Sequence, residues 1–255
     1  MKALLALVAA TQAAAPAADP VRFVTCPIYR DTDAGRKSGC WLADDRATGV
    51  RYDVSRAPSK PDWNYAILIE GRVADGEAGN PCGGVVLDPV RTSILSSERC
   101  TRHMLPAEGF PGRRFVLGKR VVKPASVARA TPPGPYRDRT FRLFFDVDRD
   151  FLIYEYDDYL LDQAITWIRA AKPRAIAVTG YAAMDAPDAS GQRISEDPGI
   201  GRARAERVTE ALARLGVDPA IITTRWSTEP QPVADPAADG LVEPSKRRVD
   251  IAATF

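Results

Sequence analysis

Histidine is almost absent: the 255-residue chain has one, His103, and only three methionines. One imidazole with no nucleophile near it in sequence reads as a surface or half-buried structural residue, not as a general base. No nucleophile elbow, metal cluster or cofactor fingerprint appears, so the chain reads as non-catalytic, with no cofactor and no metal. Close cysteine pairs of the C-x-x-C kind are missing, which argues against structural zinc. An excess of either charge is missing too. Lys and Arg number 35 against 33 Asp and Glu, a net +2, and nothing points to a nucleic-acid partner. Past the N-terminus no apolar stretch is long enough for a transmembrane segment. The serial alternating strands of an outer-membrane barrel are missing as well.

What is there begins with an export signal. Met1-Lys2 supplies the positive end, residues 3–10 an apolar run, and Ala13-x-Ala15 and Ala15-x-Ala17 the small-residue cleavage options. Residues 1–18 are therefore read as a signal peptide, and the mature protein as exported and periplasmic, with the outer membrane or cell wall as possible associates. The four cysteines, Cys26, Cys40, Cys82 and Cys100, all lie in the first half. An even number behind an export signal points to two disulfides. Three pairings exist; closure of short local loops favours Cys26–Cys40 with Cys82–Cys100.

Residues 19–123 form a mainly-β, cysteine-containing module. Val50–Val54, Tyr65–Val73, Gly83–Leu87, Thr92–Leu95 and Arg114–Leu117 read as short strands separated by Asp, Gly and Pro turns, a small antiparallel sheet or barrel. Trp41 and Trp63 read as core or rim aromatics, and Gly35–Gly39 as a solvated turn. Residues 124–139 form a Pro-rich linker. Residues 140–255 alternate strand and helix: a strand at Phe141–Phe145, an acidic turn carrying Asp146, Asp148 and Asp150, and a helix over 160–171 stopped by Lys172-Pro173. A strand at 174–179, a helix closed by Gly216, a strand at Pro219–Trp226, a Pro-rich connector and a last strand at Arg248–Phe255 follow. The order β-α-β-α-β-β predicts an α+β two-layer sandwich with both helices on one sheet face. The acidic turn lacks the glycine and distal glutamate of a calcium loop and reads as exposed.

The second module carries Gly180 at a strand end, Arg204-Ala205 with Val208 three residues on, and Lys246-Arg247-Arg248-Val249-Asp250-Ile251 near the C-terminus. In these residues it resembles the OmpA-like, peptidoglycan-binding family. That family's loop usually reads Gly-His-Thr-Asp, its helix opens Asn-x-x-Leu-Ser-x-x-Arg-Ala, and its last strand begins Asn-Arg-Arg-Val. The resemblance covers the second half and none of the first. It implies an OmpA-like sandwich that binds the diamino-acid stem peptide of peptidoglycan, an ammonium against an Asp and a carboxylate against the Arg and helix-end amides.

Carried onto this chain, the resemblance implies ligand-binding roles for Arg204, Asp185, Tyr181, Asp197 and Arg247. Arg204 sits at the edge of the helix's buried face, where its head can reach back toward the loop. Tyr181 stands for the His, Asp197 for the Asn, and Lys246 for the Asn before Arg247-Arg248. The Thr-Asp pair is Ala182-Ala183, so the ammonium partner must be supplied by Asp185, or less directly by Asp188. Without a facing carboxylate, about 2 kcal/mol or more of binding is lost. Two readings follow: a peptidoglycan-binding envelope module, or a degenerate OmpA-like scaffold for envelope proteins.

Overall fold

Residues 20–32, 39–75, 80–107, 109–112, 120–124, 126–152 and 156–255 are described by the structure, a computed structural model; the expected signal peptide and the expected strand at 114–117 lie outside them. The first module contributes β1 (Val21–Thr25), β2 (Pro27–Arg30), β3 (Cys40–Asp44), β4 (Arg51–Asp53), β5 (Tyr65–Val73), β6 (Val85–Arg99) and β7 (His103–Leu105). They form one sheet in the order β1-β5-β6-β4-β3-β2-β7. It is not wholly antiparallel, because β2 runs parallel to β7 and β4 parallel to β6. The segment expected at 83–87, from Val85 onward, and the one expected at 92–95 are parts of the single strand β6. Pro89 between them falls where the β5–β6 register slips between Gly71 and Val73, so its missing N–H interrupts no regular ladder.

This strand order corrects the disulfide pairing. The bonds are Cys26–Cys100 and Cys40–Cys82, spanning 74 and 42 residues, and not the local pairs. Cys26 precedes β2 and Cys100 precedes β7, and these two strands lie side by side. Cys40 opens β3 and Cys82 precedes β6, the two strands that flank β4. Partners are chosen by the sheet and not by distance along the chain.

The apolar run 65–73 is explained by burial on both faces, as an unbroken hydrophobic strand requires. Ile67 and Ile69 join Phe23, Val54 and Leu87 in the module's own core. Ala66 and Leu68, of opposite parity, pack with Leu95, Val147 and Ala189, and the last two belong to the second module. Glu70 shares that outer parity and is also buried.

The second module follows in the order β8 (Arg139–Phe144), α1 (Tyr156–Ala171), β9 (Ala175–Tyr181), α2 (Ile200–Arg214), β10 (Ile222–Ser227), α3 (Val242–Lys246) and β11 (Arg248–Thr254). Its four-stranded sheet has the order β10-β9-β11-β8, with β9 and β10 parallel and the other pairs antiparallel. Leu161, Ile165 and Ile168 of α1 and Ala205, Val208 and Leu212 of α2 fill one core with Ile176, Val178, Val249 and Ile251 of the sheet. The chain is thus α+β, a disulfide-bonded mainly-β module followed by the two-layer sandwich. Lys172 and Gly216 take left-handed backbone angles just past the two long helices. The third strand begins at Ile222 and not at Pro219, because Asp218 caps a 3-10 turn over Pro219–Ile221. Asp235 does the same for Pro236–Ala238 in the connector. In both, Asp-Pro is a turn-initiating pair.

Gly180 fixes how close α2 comes to β9. A Cβ there would fall far inside contact with the Gly201 carbonyl oxygen and 3.0 Å from the Ala205 Cβ and N atoms. Gly180→Ala is expected to push the helix off the strand and destabilise the protein by at least about 2 kcal/mol, measured by urea denaturation. A midpoint equal to that of the parent would show that the contact yields freely.

Candidate functional site

The end of β9, the loop 182–199 and the start of α2 form the place where the sequence puts a ligand. Arg204 reaches back toward this loop as expected, but it is 0 % exposed. Its Nε donates to the Arg149 carbonyl at 2.7 Å. Nη1 donates to the Tyr181 carbonyl at 2.8 Å and to Glu196 Oε2 at 3.0 Å. Nη2 donates to the Asp146 carbonyl at 2.9 Å and to Glu196 Oε1 at 2.5 Å. A guanidinium has five N–H donors, and all five are taken by protein oxygens.

Glu196 is equally committed. Beyond the two bonds from Arg204, Oε2 accepts the Ala183 N–H at 2.7 Å and Oε1 accepts the Asp148 N–H at 3.0 Å. The carboxylate is 3 % exposed and takes a bidentate guanidinium and two main-chain amides. The guanidinium was expected to receive a ligand carboxylate, and the chain supplies that carboxylate itself; the two amides come from the loop after β9 and from the acidic turn, not from the start of α2.

The other expected site residues do not converge with Arg204. Asp185 is exposed; its carbonyl accepts from Lys246 Nζ at 3.4 Å, and its carboxylate does not pair with Arg204. Asp188 is exposed as well. Asp197 is exposed, and its carboxylate accepts the Gly199 N–H at 2.7 Å, a local turn just ahead of α2. Tyr181 contributes its carbonyl to Arg204, while its ring lies 4.3 Å under the Arg248 guanidinium, turned toward β11. Arg247 is 2 % exposed and faces the first module, where Nη2 pairs with Glu70 Oε2 and Nε donates to the Phe145 carbonyl at 3.3 Å. Burial works against the Arg247 charge, and Glu70, with smaller help from Glu196 and Asp146, more than offsets it. Glu70 also accepts from Arg22 Nη1 at 2.7 Å.

The acidic turn is not an exposed loop throughout. Asp146 is buried and accepts Ser59 Oγ at 2.6 Å across the modules. Burial pushes its carboxyl up from the ordinary value, against the pull of Ser59, Arg91 and Arg247. Asp148 is also raised by burial, opposed by the bond from the Asp197 N–H. Asp150 pairs with Arg207 at 3.3 Å near the surface. Among the described residues no group of His, Cys, Asp and Glu is arranged to hold a metal. His103 is exposed on the edge strand β7, and Trp41 and Trp63 are half-buried beside Tyr29.

The first module closes over the same loop. Ser190 Oγ accepts the Val24 N–H at 3.0 Å and lies 3.3 Å from the Val24 carbonyl, covering the edge strand β1. Arg22 Nε donates to the Pro187 carbonyl at 3.3 Å. Ala189 and Ile194 pack against Ala66, Leu68 and Leu95. Sequence reasoning missed Glu196 and Glu70, the two acids that hold this arrangement. The available signal for Glu196 was its place: a carboxylate directly ahead of a helix, eight residues before the arginine.

No family model matches the chain, and no curated protein matches it. Among solved structures it is similar to the OmpA-like domain of FopA1 from Francisella tularensis subsp. tularensis SCHU S4, with 16 % identity, 54 % of this chain and 95 % of that one covered, and a TM-score of 0.36. The peptidoglycan-associated lipoprotein from Burkholderia pseudomallei is similar at 25 % identity, with coverages of 44 % and 87 % and a TM-score of 0.33. The cell wall anchor of the type VI secretion system from Pseudomonas aeruginosa is similar at 20 % identity, with coverages of 46 % and 82 % and a TM-score of 0.36.

Proposed function

We propose that this is a non-catalytic cell-envelope protein in which an OmpA-like sandwich serves as a scaffold for protein contacts, its stem-peptide cradle filled from within. The observation that carries this reading is the saturation of Arg204: five donors, five protein acceptors and no exposure. A ligand carboxylate finds no free donor on Arg204 unless Glu196 leaves, and leaving exposes a buried charge on each side. The export signal read at residues 1–18 and the disulfides fit an oxidising envelope compartment. No helix among the described residues is long and apolar enough to cross a membrane.

A second reading keeps peptidoglycan as the partner. It is favoured by the motif residues Gly180, Arg204-Ala205 and Arg247-Arg248-Val249, and by what the similar peptidoglycan-associated lipoprotein and cell wall anchor are named for. It requires Glu196 to be displaced by the stem peptide. Cosedimentation of the full-length protein with purified sacculi separates the two. The scaffold reading expects the protein in the supernatant, with crosslinking in the intact envelope giving protein adducts. Retention on sacculi that free diaminopimelate releases would overturn it in favour of the second reading.

A further inference from the structure

Sharing no lining residue with this cradle, an open groove of about 350 Å³ runs between α1, the start of β8 and a strap formed by residues 121–124 and 126–132. Its volume lies at the lower end of small-molecule sites, about 300–1,000 Å³. Half-buried Phe141 and the largely buried Trp167 give it a partly covered aromatic side, with the Arg139 guanidinium over both rings, and Val121, Ala130 and Pro132 of the strap give it an apolar one. Tyr159, Gln163 and Thr166 line it from α1 at spacings of four and three, one face of the helix. None of these three side chains hydrogen-bonds another described residue. Lys123 and Arg139 stand on its rim, and neither has an acidic partner among the described residues; Arg139 stacks 4.6 Å over the Phe141 ring. The lining acid, Asp162, is already taken by Arg129, with both carboxylate oxygens 3.1 Å from Nε.

We infer that this groove is a binding site for an acidic saccharide, carboxylated or phosphorylated. A pyranose has an apolar face, an edge of hydroxyls that both donate and accept, and, in this class, one anionic group. The groove answers each: an aromatic side, a helical row of uncommitted hydroxyl and amide groups, and two unpaired cations. An extended peptide fits it less well, because it needs main-chain partners. The strap's carbonyls at Lys123, Pro124 and Val127 are already accepting from Arg129, at 2.7, 2.9 and 2.5 Å. The inference does not depend on the state of Arg204 and Glu196, and its failure would leave the reading of the cradle untouched.

The test is amide chemical-shift titration of the full-length disulfide-bonded protein with glucuronate, glucose 6-phosphate, glucose and acetate. Either or both acidic sugars are expected to move the amides of Gln163, Thr166 and Trp167, with at least tenfold weaker binding of glucose and of acetate. Which acidic sugar binds more tightly identifies the anionic group. The exposed double variant Lys123→Ala/Arg139→Ala, checked for an unchanged spectrum elsewhere, should lose at least tenfold in affinity. Equal binding of glucose and glucuronate, equal binding of acetate, shifts confined to other surfaces, or a double variant that binds as the parent does would each overturn the assignment.

Discussion

Glu196→Ala is expected to cost about 3–5 kcal/mol of folding stability, the range for breaking a buried ion pair from one side. The loss has identifiable parts. Two N–H donors of Arg204, one on each terminal nitrogen, lose their acceptor, and so do the amides of Ala183 and Asp148. Urea denaturation followed by far-ultraviolet circular dichroism measures it. Arg204→Met should be damaging as well, because it strands Glu196 and frees three carbonyls, those of Asp146, Arg149 and Tyr181. Combined, the two changes should cost clearly less than the sum of the singles, since each removes what the other leaves unpaired. A Glu196→Ala protein within 1 kcal/mol of the parent would mean that the guanidinium finds water or another acid, and that the cradle is open after all. The arrangement also bears on placing at position 183 the acid that OmpA-like domains usually carry. Ala183 is buried and its amide is bound to Glu196. Ala183→Asp would therefore place a second carboxylate beside the first and repel it, without creating a ligand site.

The second large effect is expected at Glu70→Ala. Glu70 is 3 % exposed on the outward parity of β5 and holds Arg22 and Arg247 together. Its removal leaves the Arg247 guanidinium buried at the junction of the modules with no hydrogen-bonded carboxylate, at about 3–5 kcal/mol. The loss falls on the contact between the modules as well as on either core. Scanning calorimetry is expected to turn one cooperative transition into two, as the sheet of the first module and the sandwich of the second melt apart. A single transition at an unchanged temperature would show that the apolar contact of Ala66, Leu68 and Leu95 with Val147 and Ala189 suffices alone.

The sandwich was legible because its signals are local. Leu161, Ala164, Ile165 and Ile168 repeat at the helical period, Lys172-Pro173 and Gly216 mark helix ends, and Val249, Ile251 and Ala253 alternate as a strand must. The short helix α3 was not legible: it begins two residues before Pro244 and is held by the buried Ser245, whose hydroxyl donates to the Val242 carbonyl. The first sheet was only half legible. β1, β2, β3 and β7 have three to five residues each, too short for a pattern, and their pairing is decided by neighbours far along the chain. The disulfides misled for the same reason. At the cradle, Arg204 was visible as a motif residue, but its role was set by an acid eight positions away, in a loop without periodicity. The run 65–73 held a clue that is plain in hindsight: an apolar strand without alternation needs cover on two sides, and in a module this small the second cover had to come from elsewhere.

The shared acid on β5 has a consequence for ancestry. A domain that recombines freely must carry a finished surface wherever it lands. This sandwich does not: without the first module it would present a bare guanidinium at Arg247 and the unsealed Val147 and Ala189 to solvent. The two halves are therefore expected to be inherited as a unit, with a change on one side of the seam matched by a compensating change on the other. Among descendants of this gene, the residues matching Glu70 and Arg247 should be exchanged together or not at all.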